Sequence, residues 1–391
     1  MVTFLHETLR SRFYHPGRPS SRSRGSRVQY HSDTVATTET SASQRYLPLD
    51  AYRGLIMLLL VSGGLGFRQL PKEPFYQVLA EQFQHRPWGG AVFYDLIMPA
   101  FLFMVGVAMP YSLGRRIEQG HDFRDLLGHV AIRSLKLLVI SEILISITSN
   151  RAHFQFHNVL TQVAATYFLC FWLMRLRFRY QALAAFLLLA FHSAFYLMFP
   201  GPDGAFQQHT NIGAVIDRAL MGQNYSWPCN NINFIAETPA VLFGVWTGDL
   251  LRGGRPLAAK LKILSAAMVL AFASGLLLSP WVPINKWLWT ASYALYTTGW
   301  SLLGLLAFCV LTDVFGVRKP LFPLMVVGVN SLFVYCVGEL FRGWIDRSLK
   351  VFTGGFQFLG TPAPVIQSLA VLAVIWCMAY WLYKRKIFIK A

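Results

Sequence analysis

The sequence predicts an all-α, polytopic integral membrane protein with about ten transmembrane helices and both termini cytoplasmic. Three observations carry that reading. The 391 residues are 54% hydrophobic and only 14% charged, with a mean hydropathy of +0.43, whereas a soluble chain carries about 25% charged residues. Ten apolar runs approach the roughly 20 residues that cross a bilayer, and spans of this kind must be helical because lipid satisfies no open strand edge. The basic residues alternate between loops as the positive-inside rule requires.

The first 46 residues stand apart from the rest. They are rich in Ser, Thr and Arg (SSRSRGSR, TVATTETSAS) and hold no apolar stretch of signal-peptide length. Their acid-poor composition resembles an organellar transit peptide weakly, and a disordered cytoplasmic tail more closely. Residues 47–391 form the membrane domain. Its runs lie near 47–67, 91–113, 127–147, 158–174, 181–199, 233–251, 263–281, 289–313, 321–341 and 365–383.

The connections test the count. With the N-terminus inside, the inner segments 114–126, 175–180, 252–262, 314–320 and 384–391 total 45 residues and hold 16 Lys or Arg. The outer segments 68–90, 148–157, 200–232, 282–288 and 342–364 total 96 residues and hold 9. That is about a fourfold difference in density, and a missed or invented helix would break the alternation downstream. The formal charge of +17 therefore belongs to the membrane orientation, and no continuous basic patch points to nucleic acid. The longer loops are all outside, which points to a substrate handled from that face.

The five cysteines form no disulfide framework. Cys170, Cys309, Cys336 and Cys377 fall in apolar runs as small hydrophobes, and Cys229 lies alone in a polar loop.

Ionisable and polar groups within spans are costly and mark candidate sites. Asp50 and Arg53 in LPLDAYRG share one helical face, as an orienting ion pair or with Arg53 meeting a phosphate. His85 opens HRPWGGAVFYDLIMPAFLFMVG at an outer interface, and Asp95 follows inside the helix. A histidine accepts a proton near neutral pH and a carboxylate fixes its tautomer, but spacing alone does not join the two. Glu142, Glu237 and Glu339 fall toward outer helix ends, where they are candidates for the same cavity. His153 and His157, four apart, would need a third ligand to hold zinc; none is evident and no metal is expected. Asn158 and Gln162, also four apart, read as interhelical glue or as donors to an oxyanion. Asn285 and Lys286 lie in PINKWLWTASY against an aromatic belt, and Asn330 and Ser331 in VNSLFVY.

These pieces occur in the order of a known family. LDAYRG, His85-x-x-Trp88-x-Gly90, Asp95, Pro99, FLFMVG at 101–106, Arg133, the residues at 159–162 with Tyr167, PINKWLWTASY, VNSLFVY and YKRKIF together resemble the heparan-alpha-glucosaminide N-acetyltransferase family, the transmembrane acetyltransferases and their bacterial relatives, from about Leu49 to the C-terminus. The resemblance implies transfer of an acetyl group from cytosolic acetyl-CoA, a co-substrate, to an amino sugar or glycan across the membrane. It places His85 at the active-site histidine, with Asp95 its companion, either as acetyl carrier or as base in a ternary complex. Arg53 and Arg133 are then candidates for the anionic nucleotide of CoA, and Asn158, Gln162, Asn285, Lys286 and Asn330 for the acceptor. The sequence departs from the family at Ser62, where Asn is frequent, and at Thr161-Gln162, where Gln-Arg is frequent; loss of that Arg removes a permanent cation. Partners expected are the lipid bilayer and the glycan, without nucleic acid; a homodimer is compatible with the sequence, which does not fix the oligomeric state. A bacterial-style inner (plasma) membrane location goes with this reading. Rival readings are an O-acyltransferase of another glycan, a transporter or flippase without acyl chemistry, and an inactive scaffold; no internal repeat of transporter type is evident.

The topology is directly testable. Reporters fused in 252–262 or at the C-tail are expected to read cytoplasmic, and one in 200–232 external; external labelling of a cysteine placed at Arg255 would contradict the ten-helix arrangement.

Overall fold

A computed structural model describes residues 46–152, 156–222 and 229–389. Among them are thirteen α-helices: α1 (Leu47–Val61), α2 (Pro74–Gln82), α3 (Ile97–Glu118), α4 (Phe123–Ser149), α5 (Val159–Leu173), α6 (Phe178–Met198), α7 (Ile212–Met221), α8 (Phe234–Arg252), α9 (Leu257–Leu278), α10 (Ala291–Cys309), α11 (Phe322–Val329), α12 (Ser331–Thr353) and α13 (Ala363–Lys384). The described residues contain no named strand; Gly90 and Asn285 form one isolated bridge and Gly201 and Gly204 another. The protein is all-α, and the N-terminal tail lies outside the described residues apart from Tyr46.

Each expected span coincides with a helix, but length and apolarity alone qualify six as membrane crossings: Phe93–Glu118, Phe178–Met198, Asn231–Arg252, Leu257–Leu278, Ala291–Val314 and Ala363–Lys384. The pair Lys319–Val329 and Ser331–Leu359, bent by 73°, makes a seventh if it is one broken span. The first and fourth expected spans yield helices of only 15 residues. The third, α4, is 27 residues long and carries Arg133, Lys136 and Glu142.

Local chemistry explains the boundaries. The first span ends at Val61 rather than residue 67, because Gly63, Gly64, Leu65 and Gly66 all adopt positive φ, which terminates a right-handed helix. Asp122 and Asp125 close a reciprocal capping box on α4, and the Asn158 carboxamide caps α5 by accepting from Leu160 N. The long loops are not irregular: 68–90 contains α2, 200–232 contains α7, and α12 runs twelve residues beyond the expected end of its span.

Burial orders the helices into a centre and a rim. The apolar windows of α3 and α8 are each 67% buried, whereas that of α9 is 17% buried; an apolar helix left exposed in this way presents its surface to lipid. At the centre α3 and α8 run side by side with their backbones in contact. A Cβ on Gly106 would lie 1.9 Å from the Val241 carbonyl oxygen, and one on Gly244 would lie 2.1 Å from that of Phe103. Farther along, Arg252 donates to the Pro110 carbonyl oxygen, so residue numbers rise together and the two helices are parallel. Their N-termini share one end of the molecule, and α10 joins them there through Tyr293, whose hydroxyl donates to the main-chain oxygen of Asp95 (2.6 Å).

Because only hydrogen fits at Gly244, Gly244→Val is expected to destabilise the purified protein by more than about 3 kcal/mol, read as loss of the monodisperse peak or a large fall in thermal midpoint. A wild-type midpoint would refute the close packing.

Candidate active site

Asp95 lies in the 3-10 turn Phe93–Leu96 that leads into α3, and its side chain is 1% exposed. A carboxylate so placed needs partners, and it has four. Its Oδ2 accepts from the backbone N–H groups of Val92 (3.3 Å) and, weakly, Arg86 (3.5 Å). Its Oδ1 lies 2.8 Å from His85 Nδ1 and 3.2 Å from Lys286 Nζ. The histidine, the aspartate ten residues later and a lysine some two hundred residues away thus form one constellation.

The hydrogen-bond inventory determines how it is wired. His85 Nδ1 faces both Asp95 Oδ1 and Lys286 Nζ (2.6 Å). It cannot donate to the carboxylate and accept from the ammonium at once. An ionised Asp95 only accepts, so the Nδ1–H tautomer satisfies it, and Nε2 is left with its lone pair. Lys286 Nζ stands 3.2 Å from that Nε2. The imidazole remains 43% exposed while both partners are covered, so one reactive nitrogen is presented from an anchored ring.

The two chain segments are tied at several points. Gly90 N donates to the Ile284 carbonyl oxygen (2.6 Å), and Trp287 Nε1 to that of Arg86 (2.9 Å). Gly90 has φ +74, a left-handed conformation that glycine adopts freely. The 283–290 turn is held from within by Asn285, whose Oδ1 accepts from Trp287 N (2.8 Å) and Leu288 N (3.3 Å), and by Thr290 Oγ1, which donates to the Pro283 oxygen. From behind, Asn230 N and Asn233 Nδ2 both donate to the Trp287 oxygen. Tyr94 and Trp287 flank the imidazole, with ring centroids 4.8 and 5.8 Å away.

The N-termini of α3, α8 and α10 converge on the site, each with its dipole directed there, and Lys286 adds an ammonium. Burial pulls Lys286 below the usual lysine pKa, with Asp95 opposing the shift. Burial raises the neighbouring Cys229 thiol to about 12, which keeps it protonated and unreactive. Burial also raises Asp217, against the bonds it accepts from Asn231.

The remaining sequence candidates are distributed elsewhere. Asn158 and Gln162 lie at the same end of the molecule but bond other groups. Asn158 Oδ1 also accepts from Ser141 and Tyr335, and Gln162 Nε2 donates to the Phe156 oxygen. Phe156 N donates to Asn231 Oδ1, which connects this region to the loop behind Trp287. Arg53 bonds Asp50 (2.6 Å) and the Gly328 oxygen (2.7 Å) at the opposite end. There Tyr46 stacks on Tyr111, sixteen residues along α3 from Asp95 and so about 24 Å away. Arg133 lies over the Tyr167 ring at 4.5 Å. Asn330 marks the break between α11 and α12, where it bonds Ile387 O and Ile389 N of the C-terminal segment. The three glutamates lie in different surroundings. Glu142 lines a separate apolar groove of about 550 Å³ on α4 with Leu138, Ile143 and Phe156, Glu339 lies within electrostatic reach of Tyr94, and Glu237 is buried behind the site. His153 lies outside the described residues. Tyr94, Trp287 and Tyr293 were not singled out from sequence, although Trp287 and Tyr293 belong to the aromatic run around Lys286.

Comparison with known proteins finds one family. The family model for the heparan-alpha-glucosaminide N-acetyltransferase catalytic region matches residues 45–210, which include His85 and Asp95. The chain is similar to the heparan-alpha-glucosaminide N-acetyltransferases. The proteins of that name from Mus musculus and Homo sapiens are 24% and 23% identical to it, over 92% and 88% of this chain. The chain spans about three-fifths of their length, 62% and 60% respectively.

The displaced lysine gives a pH test. With its folded pKa lowered, the unfolded chain binds more protons than the native one between the two values. Wild-type stability should therefore gain from this group as pH rises toward the ordinary lysine pKa of about 10.4. Thermal unfolding of Lys286→Met should lack that alkaline gain; identical pH slopes in the two proteins would contradict a buried, charge-paired Lys286.

Proposed function

We propose that this chain is a membrane acetyltransferase that moves an acetyl group from cytosolic acetyl-CoA to an amino sugar or glycan on the outer face, through a domain that crosses the membrane ten times with both termini inside. The observation that carries the reading is the contact of His85, Asp95 and Lys286. Asp95 holds the imidazole by Nδ1–H, so that Nε2 either removes the proton of an attacking amine or receives the acetyl group itself. Attack on a thioester develops negative charge on its carbonyl oxygen. The Lys286 ammonium and the three helix N-termini supply a fixed positive field where that charge appears. The names of the related proteins support an N-acetyl acceptor on a glucosaminide.

The donor suits the other end of the molecule. Arg115 and Arg116 close α3, Arg252 closes α8, and Arg255, Lys260 and Lys262 follow, a cationic surface that complements the phosphates of CoA. Arg53 lies at that end with part of its guanidinium engaged by Asp50, and Arg133 lies on α4 between the ends. The acetyl-bearing pantetheine arm would have to reach from this surface to His85, and its length is what allows a cytosolic donor to serve an outer acceptor.

The purified protein with acetyl-CoA and glucosamine tests the reading. His85→Ala should fold normally and retain the rise in thermal midpoint that acetyl-CoA gives the wild type by mass action, while transfer falls by about 10²–10⁴-fold. Radiolabelled acetyl trapped on the wild type without acceptor, and not on His85→Ala, identifies the acetyl-carrier route. Normal transfer by His85→Ala, or no thermal response of the wild type to millimolar acetyl-CoA, would overturn the reading.

A further inference from the structure

Glu237 lies in the first turn of α8 and is completely buried. Neither of its carboxylate oxygens has a hydrogen-bond partner among the described residues. Removing a carboxylate from water without a partner carries a large free-energy penalty, and an intramembrane acid of this kind reads as functional unless packing accounts for it. No packing role here requires a carboxylate: a Leu or Met of similar volume would fill the space without the penalty.

Its surroundings point to the active site. Glu237 acts electrostatically on Cys229 and Tyr293. Tyr293 bonds the backbone of Asp95 and also senses its charge, and Cys229 senses Lys286. Asn233, one turn before Glu237, donates to Cys229 Sγ (3.3 Å) and to the Trp287 oxygen (3.0 Å). Three more buried polar atoms in this region have no partner among the described residues: Asn230 Oδ1, Asn233 Oδ1 and Trp289 Nε1. Polar chains of this type hold ordered water or carry protons. Asn233 therefore ties the first turn of the helix that carries Glu237 to the 283–290 turn that carries Lys286.

The reaction leaves a proton to be handled. An amino sugar arrives as R–NH3⁺, whereas the amide product R–NH–COCH3 retains one of those three hydrogens. One proton leaves to expose the nitrogen lone pair and a second as the C–N bond forms. The C–S bond breaks with its electron pair on sulfur, and the CoA thiolate takes up one of the two protons. One proton per turnover remains. His85 Nε2 can hold only one at a time and must deliver it to the leaving sulfur. We infer that the carboxylate of Glu237 takes up the surplus proton of each transfer and later returns it to water. This rests on the acetyltransferase reading and adds to it a proton acceptor beyond the His85 constellation.

The test uses the full-length protein with acetyl-CoA and glucosamine, across pH, for wild type, Glu237→Gln and Glu237→Asp. Glu237→Gln preserves volume and should keep the elution profile and thermal midpoint. Its KM values should hold within about twofold while kcat at neutral pH falls by about tenfold or more. The deficit should diminish at alkaline pH, where the acceptor is already a free amine. Glu237→Asp retains an acid and should recover much of kcat with a displaced pH profile. Wild-type kcat and pH profile in Glu237→Gln would overturn the proposal, as would equal losses in both folded variants, which would indicate packing alone. If Glu237→Gln fails to fold, Glu237→Asp decides: a displaced pH profile supports the proton role and an unmoved one refutes it. No transfer by wild type under any of these conditions would remove the acetyltransferase reading itself, a result distinct from either.

Discussion

The Asp95 carboxylate is the constraint on which the rest of the site depends. Covered almost completely, it must be neutralised, and every group that satisfies it is thereby fixed in place. The Val92 and Arg86 amides shape the turn before α3, His85 is held by one nitrogen, and Lys286 is drawn in from the segment before α10. One interaction thus joins residues 85–95 to 283–293 and anchors the imidazole through one of its nitrogens. Removal of Lys286, the ammonium paired with this carboxylate, would leave an uncompensated buried charge, at about 3–5 kcal/mol.

The packing beneath makes that placement possible. Two parallel helices touch backbone to backbone at Gly106 and Gly244, so their N-termini sit side by side, and α10 adds a third. A wider helix separation, of 8–10 Å, would move the two N-termini apart and weaken the convergent field. The glycines, far from the chemistry in sequence, therefore act on it through geometry.

Much of the fold was legible because lipid imposes a simple rule: long apolar runs must be helices, and each of the ten runs is largely helical, the ninth as the bent pair α11 and α12. The interruptions were harder to read. The kink at Asn330 lies in the largely apolar run LFPLMVVGVNSLFVY, where the polar pair Asn330-Ser331 was visible but the side chain's bonds to the C-terminal segment, which explain why the backbone turns there, were not. Helices α2 and α7 were hidden in loops because each is too short to stand out by hydropathy. In the site, His85, Asp95 and Lys286 were each conspicuous as costly polar groups near a membrane interface. Their association was not legible, since a contact between residues 85 and 286 depends on the packing of α3 against α10. Asn285 illustrates the opposite limit: a polar residue beside the site whose oxygen is committed to the turn that presents Lys286.

The central claim is that His85 and Asp95 act as one unit in acetyl transfer, and a double-mutant cycle measures this most directly. The quantity is kcat/KM for acetyl-CoA and glucosamine in wild type, His85→Ala, Asp95→Asn and the double variant, each verified as folded. If Asp95 works through the imidazole, the double variant should be no slower than His85→Ala, because the aspartate has nothing left to orient. Losses that multiply in the double variant would show that the two residues act independently, and would contradict the account.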